Sequence, residues 1–245
     1  MAPKTGYEPL FTLKPVAPEI WVVDGGSIRF YGMPFPTRMT VIRLASGELF
    51  IHSPVALAGD LRAEVSALGP VRYLVAPNWI HYAWVRDWQQ AFPESLSWAS
   101  PGVRARALGR GVDIAFDAEL GDEAPPEWAG QIDQVVADSG WHREVVFFHR
   151  ASRTLVLTDL IENLEPQHLP WWFRLLARAG GVLAPEGGMP RDMALSFRRR
   201  RAHLRDVVER MLSWKPERVI IAHGRCFEHD GEAVLRRAFA KVLRG

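Results

Sequence analysis

At 245 residues, 48% of them hydrophobic and 24% charged, the chain is long enough to bury a sizeable core and has the composition of a globular protein, not of a disordered or fibrous one. Its formal charge of +2 comes almost wholly from scattered arginine, an excess too small to point to nucleic acid. A single cysteine, Cys226, excludes an internal disulfide and a Cys-rich zinc module; no run reaches the roughly 18 apolar residues of a spanning helix, and the opening residues lack the apolar core of a signal peptide, so a cytoplasmic protein is expected.

Residues 1–14 read as an extended, proline-broken lead. Two short β-type runs follow, 19–23 and 27–31, separated by Asp24-Gly25-Gly26, a hairpin signal. With 39–44 and 48–52, they predict four antiparallel strands opening the fold. Leu57, Leu61, Val65 and Leu68 recur at helical spacing until Gly69-Pro70 stops them. A strand over 71–76, a helix over 84–92 and a short strand near 97–102 come next, and the Gly- and Pro-rich acidic stretch 109–130 reads as loop. A second β group covers 131–137, 144–149 and 154–158. Helices are predicted over 169–179, 199–214 and 232–243, with a strand at 219–222 between the last two. This order suits one domain over 1–245 in which two sheets pack face to face with helices outside.

Three apolar runs end in residues that can hold a metal: His81 after Val75-Ala76-Pro77, Asp159 after Leu155-Val156-Leu157, and His223 after Ile220-Ile221-Ala222. Two imidazoles and one carboxylate suit a single Zn, Fe or Mn ion with an open position for water; equally, each is a polar group hydrogen-bonded at a strand end. Asn78 reads as a donor to a substrate oxygen or as a cap for the helix that follows. Cys226 reads as an incidental thiol, and no nucleophile elbow or phosphate-binding glycine loop is present. The run Arg198-Arg199-Arg200-Arg201 reads as a solvated helix face with Asp206 and Glu209 within reach.

The ordered set His52-Ser53-Pro54, Pro77-Asn78-Trp79-Ile80-His81, Thr158-Asp159-Leu160 and Ala222-His223-Gly224 resembles a branch of the metallo-β-lactamase-like superfamily defined as a domain of unknown function, over residues 15–243. The resemblance implies an α/β fold, the four-layer αββα sandwich, with a metal site at one edge between the sheets. It also shows a departure. Aligning the superfamily's His-x-His-x-Asp-His motif on His81 puts Ala76, Asn78 and Ile80 at the two earlier histidines and the aspartate, while His142 matches its middle histidine.

The resemblance therefore implies at most one divalent metal (Zn, Fe or Mn), held by His81, Asp159 and His223. His142 or Asn78 would steady an oxyanion or a water, with His52, Trp171 and Trp172 beside a small-molecule substrate. The implied activity is hydrolysis of an ester, lactone or thioester by a metal-activated water. Two other readings stand beside it, a catalytically inactive binding or interaction protein and a mononuclear iron redox protein. The segment Leu169–Leu176 is too short to cross a bilayer and reads as a pocket wall, a lid, a homodimer contact or a membrane-surface patch.

Overall fold

The computed structural model describes residues 6–30 and 32–244; the first five residues of the lead, and Tyr31 at the end of the second β run, lie outside the described residues. The first sheet has seven strands in chain order: β1 (Lys14–Ala17), β2 (Ile20–Phe30), β3 (Met33–Arg43), β4 (Leu49–His52), β5 (Val71–Ala76), β6 (Leu96–Ala99) and β7 (Ala118–Glu119). Pairing is antiparallel up to β4 and parallel beyond it, where α1 (Leu61–Leu68), α2 (Val85–Ala91) and α3 (Val103–Gly109) make the crossovers. The second sheet has four strands, β8 (Ile132–Asp138), β9 (Arg143–His149), β10 (Thr154–Val156) and β11 (Arg218–Ile220), in the order β11-β10-β9-β8. Between β10 and β11 run α4 (Trp171–Gly180), α5 (Arg191–Ser196) and α6 (Arg201–Ser213); α7 (Gly231–Ala238) and α8 (Ala240–Leu243) end the described chain.

The period-two alternation of the strands decides the layers. On β9, Val145 and Phe147 face the other sheet, where they meet Ile42, Phe50 and Val75, while Val146 and Phe148 face outward to Leu204, Val208 and Leu235 of the helices. In the first sheet Val41, Leu49 and Ile51 take the outward direction and pack on Leu61, Val65 and Trp88. Both faces of both sheets are thus apolar, which is why these strands read as continuous hydrophobic runs. The result is helix, sheet, sheet, helix, the αββα sandwich.

Several sequence expectations are corrected. Asp24-Gly25-Gly26 is not a hairpin turn: β2 runs through it as one strand of eleven residues, with a bulge between Gly25 and Ile28. Asp24 stays in the strand because its carboxylate pairs with Arg38 at 2.7 Å across the ladder, both side chains buried. Gly25 is needed there, since a Cβ would lie 2.4 Å from Thr37 Oγ1. The region read as loop after residue 109 contributes β7, which extends the first sheet, and α3 is a helix that the sequence pattern does not announce. The closing helix is two, broken at Phe239. In the arginine run, Arg200 pairs with Asp138 at 2.6 Å, and neither Asp206 nor Glu209 is an ion-pair partner of any described residue.

Candidate metal centre

The two sheets present their β5, β10 and β11 ends at one edge, and each contributes one side chain. After β5, Pro77 has no N–H to continue the ladder, and Asn78 Oδ1 accepts the amides of Ile80 (2.8 Å) and His81 (3.1 Å), winding the chain into a turn that carries His81. After β10, the amides of Thr158 and Asp159 both donate to the Glu144 carboxylate, at 2.6 and 2.8 Å. After β11, Gly224 takes a positive φ of 102°, and a Cβ there would sit 2.1 Å from the Asn163 carbonyl oxygen. That close approach ties the His223 turn to the chain following Asp159.

The three expected ligands converge. Asp159 Oδ1 lies 3.3 Å from His81 Nε2 and 3.0 Å from His223 Nε2, and the three ligand atoms all fall within 4.8 Å of one another. The outer ring nitrogens decide the chemistry. His223 Nδ1 meets the Pro36 carbonyl at 2.8 Å; a carbonyl only accepts, so Nδ1 carries a proton. In a neutral His223 the lone pair is then on Nε2 and faces Asp159. His81 Nδ1 is 2.7 Å from Ser53 Oγ, which can accept its proton in the same way; Ser53 itself sits at φ 54°. Both imidazoles are therefore oriented as metal-binding histidines are, with Nδ1 against an oxygen and Nε2 inward. This donor set fits one divalent ion.

The same geometry also holds a proton. Burial works against a charged His223, but its hydrogen bond and charge attraction to Asp159, with Glu162 and Pro36, raise its proton affinity above the usual imidazole value. Burial likewise opposes Asp159 ionising, yet the charges and hydrogen bonds of His81 and His223 hold it well below the normal carboxylate range.

His142 is placed differently. It is buried at the start of β9, with Nδ1 2.7 Å from Trp79 Nε1, and an indole nitrogen only donates. His142 Nδ1 must accept, so the neutral ring carries its proton on Nε2, which has no hydrogen-bond partner and lies 3.6 Å from Glu144 Oε2. His142, Glu144 and Asp159 form a second close group of ligand atoms, but each is already served by an N–H. Trp79 donates to His142, the Thr158 and Asp159 amides to Glu144, and Asn78 Nδ2 to Asp159 Oδ2 at 2.6 Å. Asn78 Nδ2 also reaches Thr158 Oγ1 at 2.8 Å. Its two donors and two acceptor positions are used within the fold, so the structure ties Asn78 to the ends of β5 and β10, not to a substrate.

A cleft of about 180 Å³ opens over this edge, walled by Phe35, Ile80, Trp141 and Met193, with His142, Asp159, Glu162 and His223 as polar groups. Glu162 is the group that sequence reasoning misses. Burial raises its carboxyl to about 8; His223 opposes this, and the negative charges of Asp159 and Asp192 reinforce it. Its only sequence cue is a carboxylate three residues beyond Asp159. Glu144 has a better one, the His142-x-Glu144 spacing that puts two side chains on one face of a strand.

His52 is buried beside Phe147, outside the cleft lining; burial first, and the charge of His81 second, outweigh a backbone hydrogen bond and lower its pKa to about 3. Trp171 and Trp172 are also outside the lining. Phe173 and Ala177, four apart on α4, take the inward stripe, and the two tryptophans face away. The contact of this segment with the cleft wall runs instead through Phe173, whose ring meets Phe35 at 5.4 Å.

Comparison with known proteins agrees with this architecture. The model of the family described as "Domain of unknown function (DUF4336)" matches residues 18–179. No curated protein matches. Among solved structures, a metallo-beta-lactamase from Pontibacter korlensis is 11% identical with a TM-score of 0.62, covering 96% of this chain and 99% of that one. FIM-1 from Pseudomonas aeruginosa in its mono-zinc form is 12% identical at 0.58, covering 95% and 93%. Rubredoxin oxygen:oxidoreductase from Desulfovibrio gigas is 12% identical at 0.61, covering 94% of this chain and 61% of that one. These likenesses show the fold, that of the metallo-β-lactamases.

Proposed function

We propose, for a chain that belongs to the family described as a domain of unknown function (DUF4336), that one divalent metal ion on His81, Asp159 and His223 supports hydrolysis of a small ester, lactone or thioester in the cleft above them. The observation that carries this reading is the shared orientation of His81 and His223, each with Nδ1 against an oxygen and Nε2 turned to Asp159 Oδ1. When bound, such an ion supplies Lewis acidity and an activated water.

The chain's own groups would do the rest. His142, with a proton on Nε2 and no partner for it, is the donor for the oxygen that gains charge as the carbonyl is attacked. Glu162, in the same cleft, is placed to give a proton to the leaving group. Phe35, Ile80 and Met193 exclude water from the apolar part of the substrate. The N–H donors already seated on His142, Glu144 and the far oxygen of Asp159 support a single ion over a pair.

A second reading, a metal-free binding protein, is favoured by one observation: with a proton on His223 the Asp159 carboxylate is already neutralised. Metal analysis of protein purified without chelator, followed by a screen of ester, lactone and thioester substrates with His223→Ala as control, separates the two. About one equivalent of metal, and turnover abolished by His223→Ala, is the expected result. Metal well below a tenth of an equivalent with no uptake on titration leaves the binding protein, and iron with no hydrolysis favours redox use of the same ligands.

A further inference from the structure

Four of the seven exposed large hydrophobic side chains among the described residues are on α4, where Trp171, Leu175 and Leu176 are 74, 62 and 52% exposed while Phe173 and Ala177 hold the helix on the core. The charged residues of α4 are both cations, Arg174 and Arg178. Gly181, which caps the C-terminus of α4, abuts the next basic residue, since a Cβ there would lie 3.9 Å from Arg191 Nε. Arg191 in turn opens a groove lined by Arg198, Arg201, Lys241 and Arg244, with Leu195 at 66% exposure and no carboxylate in the lining. Among the described residues none of these five cations has an acidic partner; Arg201 and Arg244 reach only the carbonyls of Lys241 and Ala240. Five clustered cations repel one another, and an anionic surface relieves that repulsion.

We propose that α4 and this groove together form a docking face for an anionic lipid bilayer. Tryptophan and leucine beside unpaired arginine is the chemistry of the headgroup boundary: rings and branched chains enter the acyl edge while guanidinium groups meet lipid phosphates and carboxylates. A nucleic-acid backbone has use for the cations but none for Leu175, Leu176 and Leu195. A second copy of this chain is disfavoured as occupant, because a two-fold interface sets the patch against itself and cation against cation. The position of α5 adds a consequence. Its Asp192 and Met193 line the metal-centre cleft and its Arg191 and Leu195 the groove, so a docked bilayer lies beside the cleft mouth.

The test is co-sedimentation of the purified full chain with phosphatidylcholine vesicles containing about 30% phosphatidylserine, against pure phosphatidylcholine vesicles and mixed-sequence single-stranded RNA. The expected result is binding to the anionic vesicles alone, weakened by salt. Trp171→Ser with Leu175→Ser should lower vesicle affinity about tenfold, and Arg191→Ala with Arg198→Ala and Lys241→Ala about a hundredfold. The two sets are independent, so if circular dichroism shows one misfolded the other still decides. Failure to sediment with anionic vesicles, affinity unchanged in the folded set or sets, RNA binding that needs the groove but not α4, or a dimer dissolved by the α4 changes would each overturn the proposal.

Discussion

Arg38→Met is the substitution whose consequence can be worked furthest from the structure. Arg38 is a cation in the core of β3; its guanidinium pairs with the buried Asp24 at 2.7 Å and donates through Nη1 to the carbonyls of Ile221 at 2.6 Å and Gly224 at 2.7 Å. Methionine fills the volume and removes all of these. Breaking a buried pair by deleting one partner costs about 3–5 kcal/mol, and stranding the two carbonyls adds to it, on the order of 1 kcal/mol each. Lys14, 2.8 Å from the other oxygen of Asp24, offsets part of the loss. A net destabilisation of about 4 kcal/mol follows, which for a chain of this length lowers the melting temperature by about 8–16 °C.

Urea unfolding of metal-free protein, followed by circular dichroism, measures it without a ligand contribution. Arg38→Lys keeps the charge but lacks the fork, and should lose about half as much. Arg38→Met with Asp24→Leu should recover most of the loss, because no charge is then left buried alone. A cost below about 1 kcal/mol for Arg38→Met, or no recovery in the double variant, would refute the assignment of Arg38 as the clamp of the His223 turn.

Three further outcomes are expected. The folded pKa of His52, about 3, lies below the unfolded value, so the unfolded chain gains a proton first as pH falls through about 6.5; stability is then lost down to about pH 3, by about 3 kcal/mol at pH 4, and urea titrations of His52→Leu should show a correspondingly shallower acid limb. Asn78→Asp places a second carboxylate against Asp159 and should destabilise the metal-free protein by about 2–4 kcal/mol, a loss that added divalent metal reverses; calorimetry with and without metal reads both, and an unchanged metal-free melting temperature contradicts the hydrogen-bond assignment. Glu162→Gln should leave metal uptake intact and lower kcat on any substrate found by about 10²-fold or more, with the pH profile altered; unchanged kcat removes Glu162 from proton transfer.

The edge that carries the candidate metal ligands is legible in the sequence because its signals are local. An apolar run followed by a proline, or by His-Gly, marks where a strand must stop, and the residue just past the stop sits at a sheet edge whatever the rest of the chain does. Asp24 shows the opposite case. Asp-Gly-Gly is turn chemistry until a cation from the neighbouring strand enters, and nothing near Arg38 in sequence says that it will be the partner. The roles of Glu144 and Glu162, each marked in sequence only by its spacing from His142 or Asp159, are hidden for the same reason: one is read as the first residue of a strand and the other as a polar residue past one, and only the meeting of the two sheets makes the first a brace for two amides and the second a cleft acid. The arginine run misleads because helical spacing proposes Asp206 and Glu209, whereas Arg200 finds Asp138 at the end of β8.

The carbonyl that fixes His223 belongs to Pro36, 187 positions earlier in the chain and in the other sheet. Ser53 and His81 both follow strands of the first sheet, whereas Asp159 and His223 follow strands of the second. Neither half can therefore hold an ion tightly by itself, and high-affinity uptake must wait for a highly non-local step of folding, the docking of one sheet on the other. The ion would arrive as a late visitor to a finished scaffold, so a chelator should strip it without unfolding the chain, and the rate at which refolding protein becomes able to take metal should report when the two halves close.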